Sequence, residues 1–92
     1  MIARDVIVVN QLGMHARAAA KFVHLAGRYQ AQVRVARDRQ VMDGKSIMGI
    51  LLLAAARGST ITISADGHDE QEALNALATL VESGFGEDGC GA

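Results

Sequence analysis

The chain has 92 residues, half of them apolar, and a formal net charge of −1 at pH 7. A chain of this length forms one small domain. Its near-zero net charge argues against a nucleic-acid binder held by electrostatics. The longest apolar run (residues 47–56) is too short to span a membrane. The single cysteine, Cys90, cannot form an internal disulfide, and the first residues lack a secretory signal pattern, so a cytoplasmic protein is expected.

The first half of the chain predicts a strand, a helix and two more strands. Runs of β-branched residues and alternating apolar residues mark the strands, while apolar residues at helical spacing mark the helix, for which Gly27 is a suitable stop. The predicted elements are a strand at residues 6–9, a loop at residues 10–15, a helix at Ala16–Ala26 and strands at Gln32–Arg37 and Gln40–Asp43.

The second half predicts a short helix, a strand and a final helix. Ser46 is a good N-cap for a helix over residues 47–53, and residues 60–65 alternate as a strand whose inward side chains are Ile61, Ile63 and Ala65. Asp69 followed by Glu72 resembles a capping box for the last helix. The inward residues expected on that helix are Ala73, Leu74, Leu77, Leu80 and Val81.

The element order βαββαβα predicts an α+β fold. Half-buried alternating strands suit a four-stranded antiparallel sheet with three helices on one face, which is an open-faced β-sandwich. One domain is expected over residues 1–84. Residues 85–92 are expected to form a flexible glycine-rich tail, to which no role is assigned.

The candidate reactive residue is His15, which lies where the first loop meets the first helix. The start of a helix carries partial positive charge and unpaired backbone N–H groups, which favour a neutral imidazole and bind anions. A neutral imidazole can act as a nucleophile, and Arg17 could hold phosphate oxygens beside it. The arrangement suits a phosphorylated histidine, although a histidine at a helix start is more often an ordinary capping or surface residue.

Other reactive sites are not expected. The three histidines (His15, His24 and His68) have neither the helical spacing nor the cysteine pairs of a metal site, so no metal and no cofactor are predicted. Gly44-Lys45-Ser46 is not a phosphate-binding loop, because Arg39 lies where that loop needs a glycine.

Two surfaces are candidates for binding partners. The short second helix is apolar nearly all round; Ile50 and Leu53 are expected in the core, whereas Ile47, Met48 and Leu51 would form an exposed apolar patch. On the first helix a cationic stripe is formed by Arg17, Lys21, His24 and Arg28. An ordinary solvated face explains the stripe about equally well, but beside an apolar patch it favours acidic partners.

Two motifs resemble the HPr family of phosphocarrier proteins from the bacterial phosphoenolpyruvate-dependent sugar phosphotransferase system. They are Gly13-Met14-His15-Ala16-Arg17 and Lys45-Ser46-Ile47-Met48-Gly49-Ile50. The resemblance covers residues 1–84 and includes the length and the element order. Many family members have proline where this chain has Ala18; alanine is a strong helix former, so the site is expected to survive.

The resemblance implies a function for each motif. His15 would take a phosphoryl group on Nδ1 from phosphorylated Enzyme I and pass it to IIA components, while Arg17 would stabilise that group. Ser46 would be the regulatory site of an HPr kinase/phosphorylase. The implied protein is a monomeric carrier and not itself an enzyme. The implied partner-binding residues are Ala16, Lys21, His24, Lys45, Ile47, Met48 and Leu51.

Two other functions remain open from the sequence. A regulatory interaction module of the nitrogen-related branch would act through partner binding and Ser46, but it would have no need of a nucleophile at His15. A small-ligand-binding domain would need a polar pocket, for which the sequence has no signature.

Overall fold

The computed structural model describes residues 1–86 and confirms the α+β class. Four strands form one antiparallel sheet in the order β1-β4-β2-β3, and three helices pack on it. The elements are β1 (Ile2–Ile7), α1 (Ala16–Ala26), β2 (Gln32–Arg37), β3 (Gln40–Asp43), α2 (Ile47–Leu52), β4 (Thr60–Asp66) and α3 (Glu70–Glu82), followed by a short 3₁₀ turn (Gly84–Gly86).

The core lies between the sheet and the helices. In the two central strands the register places Val35 opposite Ile63 and Val33 opposite Ala65, and all four side chains are buried. Because side chains alternate along a strand, the intervening residues face away from the helices. The helices bury Phe22, Ile50, Leu74, Leu77 and Val81 against the sheet, among others. The expected inward positions of β4 and α3 are confirmed, with Leu80 only partly buried.

The first strand was placed wrongly: it spans Ile2–Ile7 and not residues 6–9. Within residues 1–86 it is an edge strand that pairs with β4 alone, from Ile2 opposite Ala65 to Ile7 opposite Thr60. Its polar residues Arg4 and Asp5 are exposed and bind neighbouring side chains, so a mixed sequence is accommodated there. Apolar content alone therefore shifted the predicted strand towards its C-terminal end.

The expected capping box at the start of α3 is also wrong. The Asp69 carboxylate makes no cap bond to its own helix; it accepts the backbone N–H groups of Gln30 and Ala31, each at 2.8 Å. The Gln30 amide is the main cause that lowers the pKa of Asp69, since it stabilises the ionised carboxylate. Glu70, and not Glu72, accepts the amide of Gly67. Asp69 thus ties the α1–β2 connection to α3.

The folded domain extends beyond residue 84, where the boundary was expected. Phe85 is only 1% exposed and belongs to the hydrophobic core, and its carbonyl accepts a hydrogen bond from the Lys21 ammonium at 2.7 Å. A large aromatic ring packs here despite the flanking glycines, because its burial removes much apolar surface from water. The rest of the predicted tail, with Cys90, lies outside the described residues.

Candidate functional site

The loop before His15 is held against the segment that follows α2. The Met14 amide donates to the Ala55 carbonyl at 2.9 Å, and the Asn10 side-chain amide donates to the Gly13 carbonyl at 2.7 Å. Gly13 has φ of +67°, and a Cβ there would lie 2.6 Å from the Ala55 oxygen. Glycine alone permits both this backbone conformation and this close approach.

His15 itself is the N-cap of α1. Its backbone is extended (φ −74°, ψ 179°), and its Nδ1 accepts the backbone N–H of Arg17 at 3.2 Å. A ring nitrogen that accepts a hydrogen bond carries a lone pair and no proton, so Nδ1 has the electronic form of a nucleophile. His15 is half-buried, while Met14 before it and Ala18 in the first turn of α1 are buried in the core. The site therefore places a ring nitrogen directly at the amide end of a helix.

The cationic stripe predicted on α1 lines one open groove. Arg17, Lys21, His24 and Arg28 border it, together with the partly buried Ala20, Leu25 and Leu80, around a volume of about 400 Å³. Among the described residues, all charged groups that line this groove are basic. The groove begins at Arg17, two residues after His15, and extends towards the end of α1. A positive surface thus adjoins the candidate reactive residue.

The second motif forms the short helix α2. Ser46 is its N-cap, and the serine Oγ accepts the Gly49 amide at 3.1 Å, as predicted. Ile50 and Leu53 are buried in the core, which confirms the expected inward face. A phosphate on Ser46 would lie at the amide end of this helix, where negative charge is tolerated.

The apolar patch on α2 is exposed but differs in one member from the prediction. Met48 is 67% exposed and Ile47 is 44% exposed, as expected for docking residues, whereas Leu51 lies partly against the core. Leu52 is 58% exposed and was not singled out from the sequence. Because nearly every residue of α2 is apolar, periodicity could not orient the helix, and only tertiary packing did.

Two predicted docking residues differ in their surroundings. Ala16, in the first turn of α1, is exposed. Lys45 is half-buried, and its ammonium donates to the Tyr29 carbonyl at 2.7 Å, so it links the second motif to the α1–β2 connection. Arg37 was not predicted from the sequence as a site residue, but its guanidinium binds the end of α2. Contacts between residues so far apart in the sequence produce no local sequence pattern from which they could be predicted.

Potential metal ligands lie scattered over residues 1–86. His24 and His68 are exposed, as expected, and no group of three or more histidine, cysteine, aspartate or glutamate side chains converges in this part of the chain. Over the same residues, no helix has the length and apolar character that crossing a membrane requires.

Comparison with known proteins identifies the family. A family model described as "PTS HPr component phosphorylation site" matches residues 2–83. The chain belongs to the HPr family. It is 51% identical over 87 residues to phosphocarrier protein HPr of Cupriavidus necator and 50% identical over 88 residues to that of Pseudomonas aeruginosa, each match covering 95% of this chain and 98% of the relative.

Solved structures agree with this assignment. The crystal structure of HPr from Thermoanaerobacter tengcongensis superposes with a TM-score of 0.92 at 42% identity, covering 96% of this chain and 99% of that one. The structural neighbour has the same fold over nearly its whole length. The resemblance inferred from the two motifs is thereby confirmed, and the chain is an HPr-type phosphocarrier of the phosphotransferase system.

Proposed function

We propose that this HPr carries a phosphoryl group on His15 between two protein partners of the phosphotransferase system. Phosphorylated Enzyme I, charged by phosphoenolpyruvate, is the donor, and IIA components are the acceptors. The observation that supports this most is the hydrogen bond that the Nδ1 of His15 accepts from the Arg17 amide at the start of α1. The protein acts as a carrier and not as an enzyme, because its own His15 side chain gains the phosphoryl group from one partner and loses it to the next.

The transfer needs no separate base in this geometry. The Nδ1 lone pair attacks phosphorus and forms the N–P bond, while the bond from phosphorus to Enzyme I breaks and its electron pair returns to the donor. With Nδ1 accepting the Arg17 N–H, the proton of the neutral ring lies on Nε2, and it stays there as the N–P bond forms. The Arg17 amide, which now donates to Nδ1 at 3.2 Å, becomes available to a phosphoryl oxygen.

The stabilisation of the phosphorylated form is modest. Negative charge at a helix N-terminus gains about 0.3–1 kcal/mol at the surface and up to about 2 kcal/mol in favourable geometry. The exposed Arg17 guanidinium adds charge-assisted hydrogen bonds at the start of the groove. A shallow site of this kind suits a carrier, since a deeper pocket would hold the group too tightly for it to reach a IIA component.

Both partners are proposed to dock on the exposed sides of α1 and α2, which pack against each other. The apolar patch (Ile47, Met48 and Leu52) supplies buried contact area, and the basic groove favours acidic surfaces and speeds encounter. Ser46 is the proposed site of an HPr kinase/phosphorylase. Its phosphate would add about −1.5 to −2 charges beside the patch and weaken binding to acidic partners.

The protein is proposed to act as a monomer in the cytoplasm, where phosphoenolpyruvate is the phosphoryl source. A single surface can then meet each partner in turn, because donor and acceptor both need access to His15. No cofactor is proposed, since the phosphoryl group itself is the cargo.

The decisive experiment is phosphorylation by purified Enzyme I and phosphoenolpyruvate. Mass spectrometry and phosphorus NMR should find one acid-labile phosphate on the natural protein and none on His15→Ala. His68→Ala is the matched control, because His68 is an exposed histidine outside the proposed docking surface, and it should be phosphorylated normally. Ser46→Ala should likewise accept the acid-labile group. Acid-labile phosphate on His15→Ala would refute the site assignment.

A further inference from the structure

Arg37, at the end of β2, binds the C-terminal end of α2. Its Nη1 donates to the Leu53 carbonyl at 2.9 Å and to the Ala54 carbonyl at 3.3 Å. The end of a helix leaves carbonyl groups unpaired and carries partial negative charge, so a guanidinium there is doubly favourable. Ala54 has φ of +51°, a left-handed conformation that is unfavourable for alanine and needs support from its surroundings.

The next residue along the chain holds the His15 loop. The Ala55 carbonyl accepts the Met14 amide at 2.9 Å, and Gly13 packs directly on the backbone of Ala55 and Ala56. Ala55 is buried, as is Met14. A displacement of this segment would therefore pass to Met14, the residue that immediately precedes His15.

We propose that Arg37 is a positioning residue for His15. By holding the two carbonyls that follow α2, it fixes the Ala55 carbonyl, which in turn fixes Met14 and the entry of the chain into α1. Arg37 touches no reacting atom, so its effect on transfer passes entirely through this backbone segment. The kinetic consequence depends on the proposed phosphocarrier function, whereas the structural consequence at Met14 does not.

The test compares three variants with the natural protein. Arg37→Met keeps the aliphatic stem but removes every donor, and Arg37→Lys restores a cation that can donate. Arg34→Met is the matched control, because Arg34 lies on the same strand but is exposed and faces the other side of the sheet. The readouts are the hydrogen-exchange protection of the Met14 amide, measured by NMR, and kcat and KM for phosphorylation by Enzyme I.

We expect Arg37→Met to lose roughly tenfold in Met14 protection and roughly tenfold in kcat, with KM changed less than twofold. Arg37→Lys should recover most of both losses, and Arg34→Met should match the natural protein. If Arg37→Met does not fold, Arg37→Gln, which keeps one donor group, is measured in its place with the same expected direction.

Two results would overturn the inference. One is a folded Arg37→Met protein with Met14 protection and kcat both unchanged; the other is a lowered Tm with kcat unchanged, which would make Arg37 merely structural. If the natural protein accepts no phosphoryl group at all, the proposed function fails. Met14 protection alone then decides whether Arg37 positions the loop.

Discussion

Replacing Gly13 by alanine tests the close packing that presents His15. The new Cβ would lie 2.6 Å from the Ala55 oxygen and 2.9 Å from the Ala56 Cα. Carbon contacts are favourable near 3.5–4.0 Å, and the obstructing atoms are backbone, so they cannot rotate away. The Met14 amide bond to Ala55 would have to lengthen as the two segments separate.

The loss in the free energy of unfolding caused by Gly13→Ala has two parts, a backbone part and an overpacking part. A left-handed backbone costs an L-residue about 1–2 kcal/mol, partly offset by roughly 0.4–1 kcal/mol because alanine restricts the unfolded chain. Overpacking adds about 1–3 kcal/mol. Gly58 is the matched control: its φ is +90°, yet nothing lies within 4 Å of the position of its Cβ. Gly58→Ala therefore measures the cost of the left-handed backbone without any overpacking.

We expect Gly13→Ala to lower the free energy of unfolding by roughly 1–3 kcal/mol more than Gly58→Ala. Urea denaturation of both variants measures the difference. At temperatures where both are folded, Gly13→Ala should also accept phosphate from Enzyme I more slowly, whereas Gly58→Ala should not. Equal stabilities in the two variants would refute the claim that contact with residues 55 and 56 shapes the site.

Three further changes test other parts of the structure. Met48→Asp should weaken binding to Enzyme I at least tenfold with a Tm change of only a few degrees, measured by calorimetric titration and thermal melting; a large fall in Tm would instead place Met48 in the core. Phe85→Ala should lower the free energy of unfolding by about 3–5 kcal/mol, while Phe85→Leu should recover much of it; a change near zero would restore the domain boundary at residue 84. Because the folded-state pKa of Asp69 lies below its unfolded value, its contribution to stability is present above the ordinary aspartate range and is lost as pH falls through the folded pKa. The Tm of the natural protein should therefore fall below about pH 4, and that of Asp69→Asn should fall less steeply over the same range; parallel curves would contradict this.

Local patterns predicted most of the fold. Alternation identified β4, helical spacing identified α1 and α3, and both the start of α1 at Ala16 and the N-cap at Ser46 lie where the sequence placed them. These features depend on neighbours within about four residues, so the sequence contains the needed information. The cationic stripe on α1 was predictable for the same reason.

The errors arose where distant residues decide the outcome. Asp69 looks like a local cap, but it binds amides 38 and 39 residues away, which prevail because two backbone donors converge on one carboxylate. Phe85 looked like part of a glycine-rich tail, although its ring is buried in the core, as is that of Phe22. Leu52 could not be assigned a face within an almost wholly apolar helix.

These contacts give α2 two separable roles. Its outward side chains, such as Met48, form the surface proposed for docking, while the segment that follows its C-terminal end contacts the His15 loop through the Ala55 carbonyl. A substitution on the outward side should change the KM for a partner, because it alters contact area without moving the loop. A substitution at the C-terminal end should change kcat, because it alters the position of Nδ1 without altering the patch. Opposite effects on KM and kcat at the two positions would therefore separate the proposed docking role of α2 from the proposed positioning of His15.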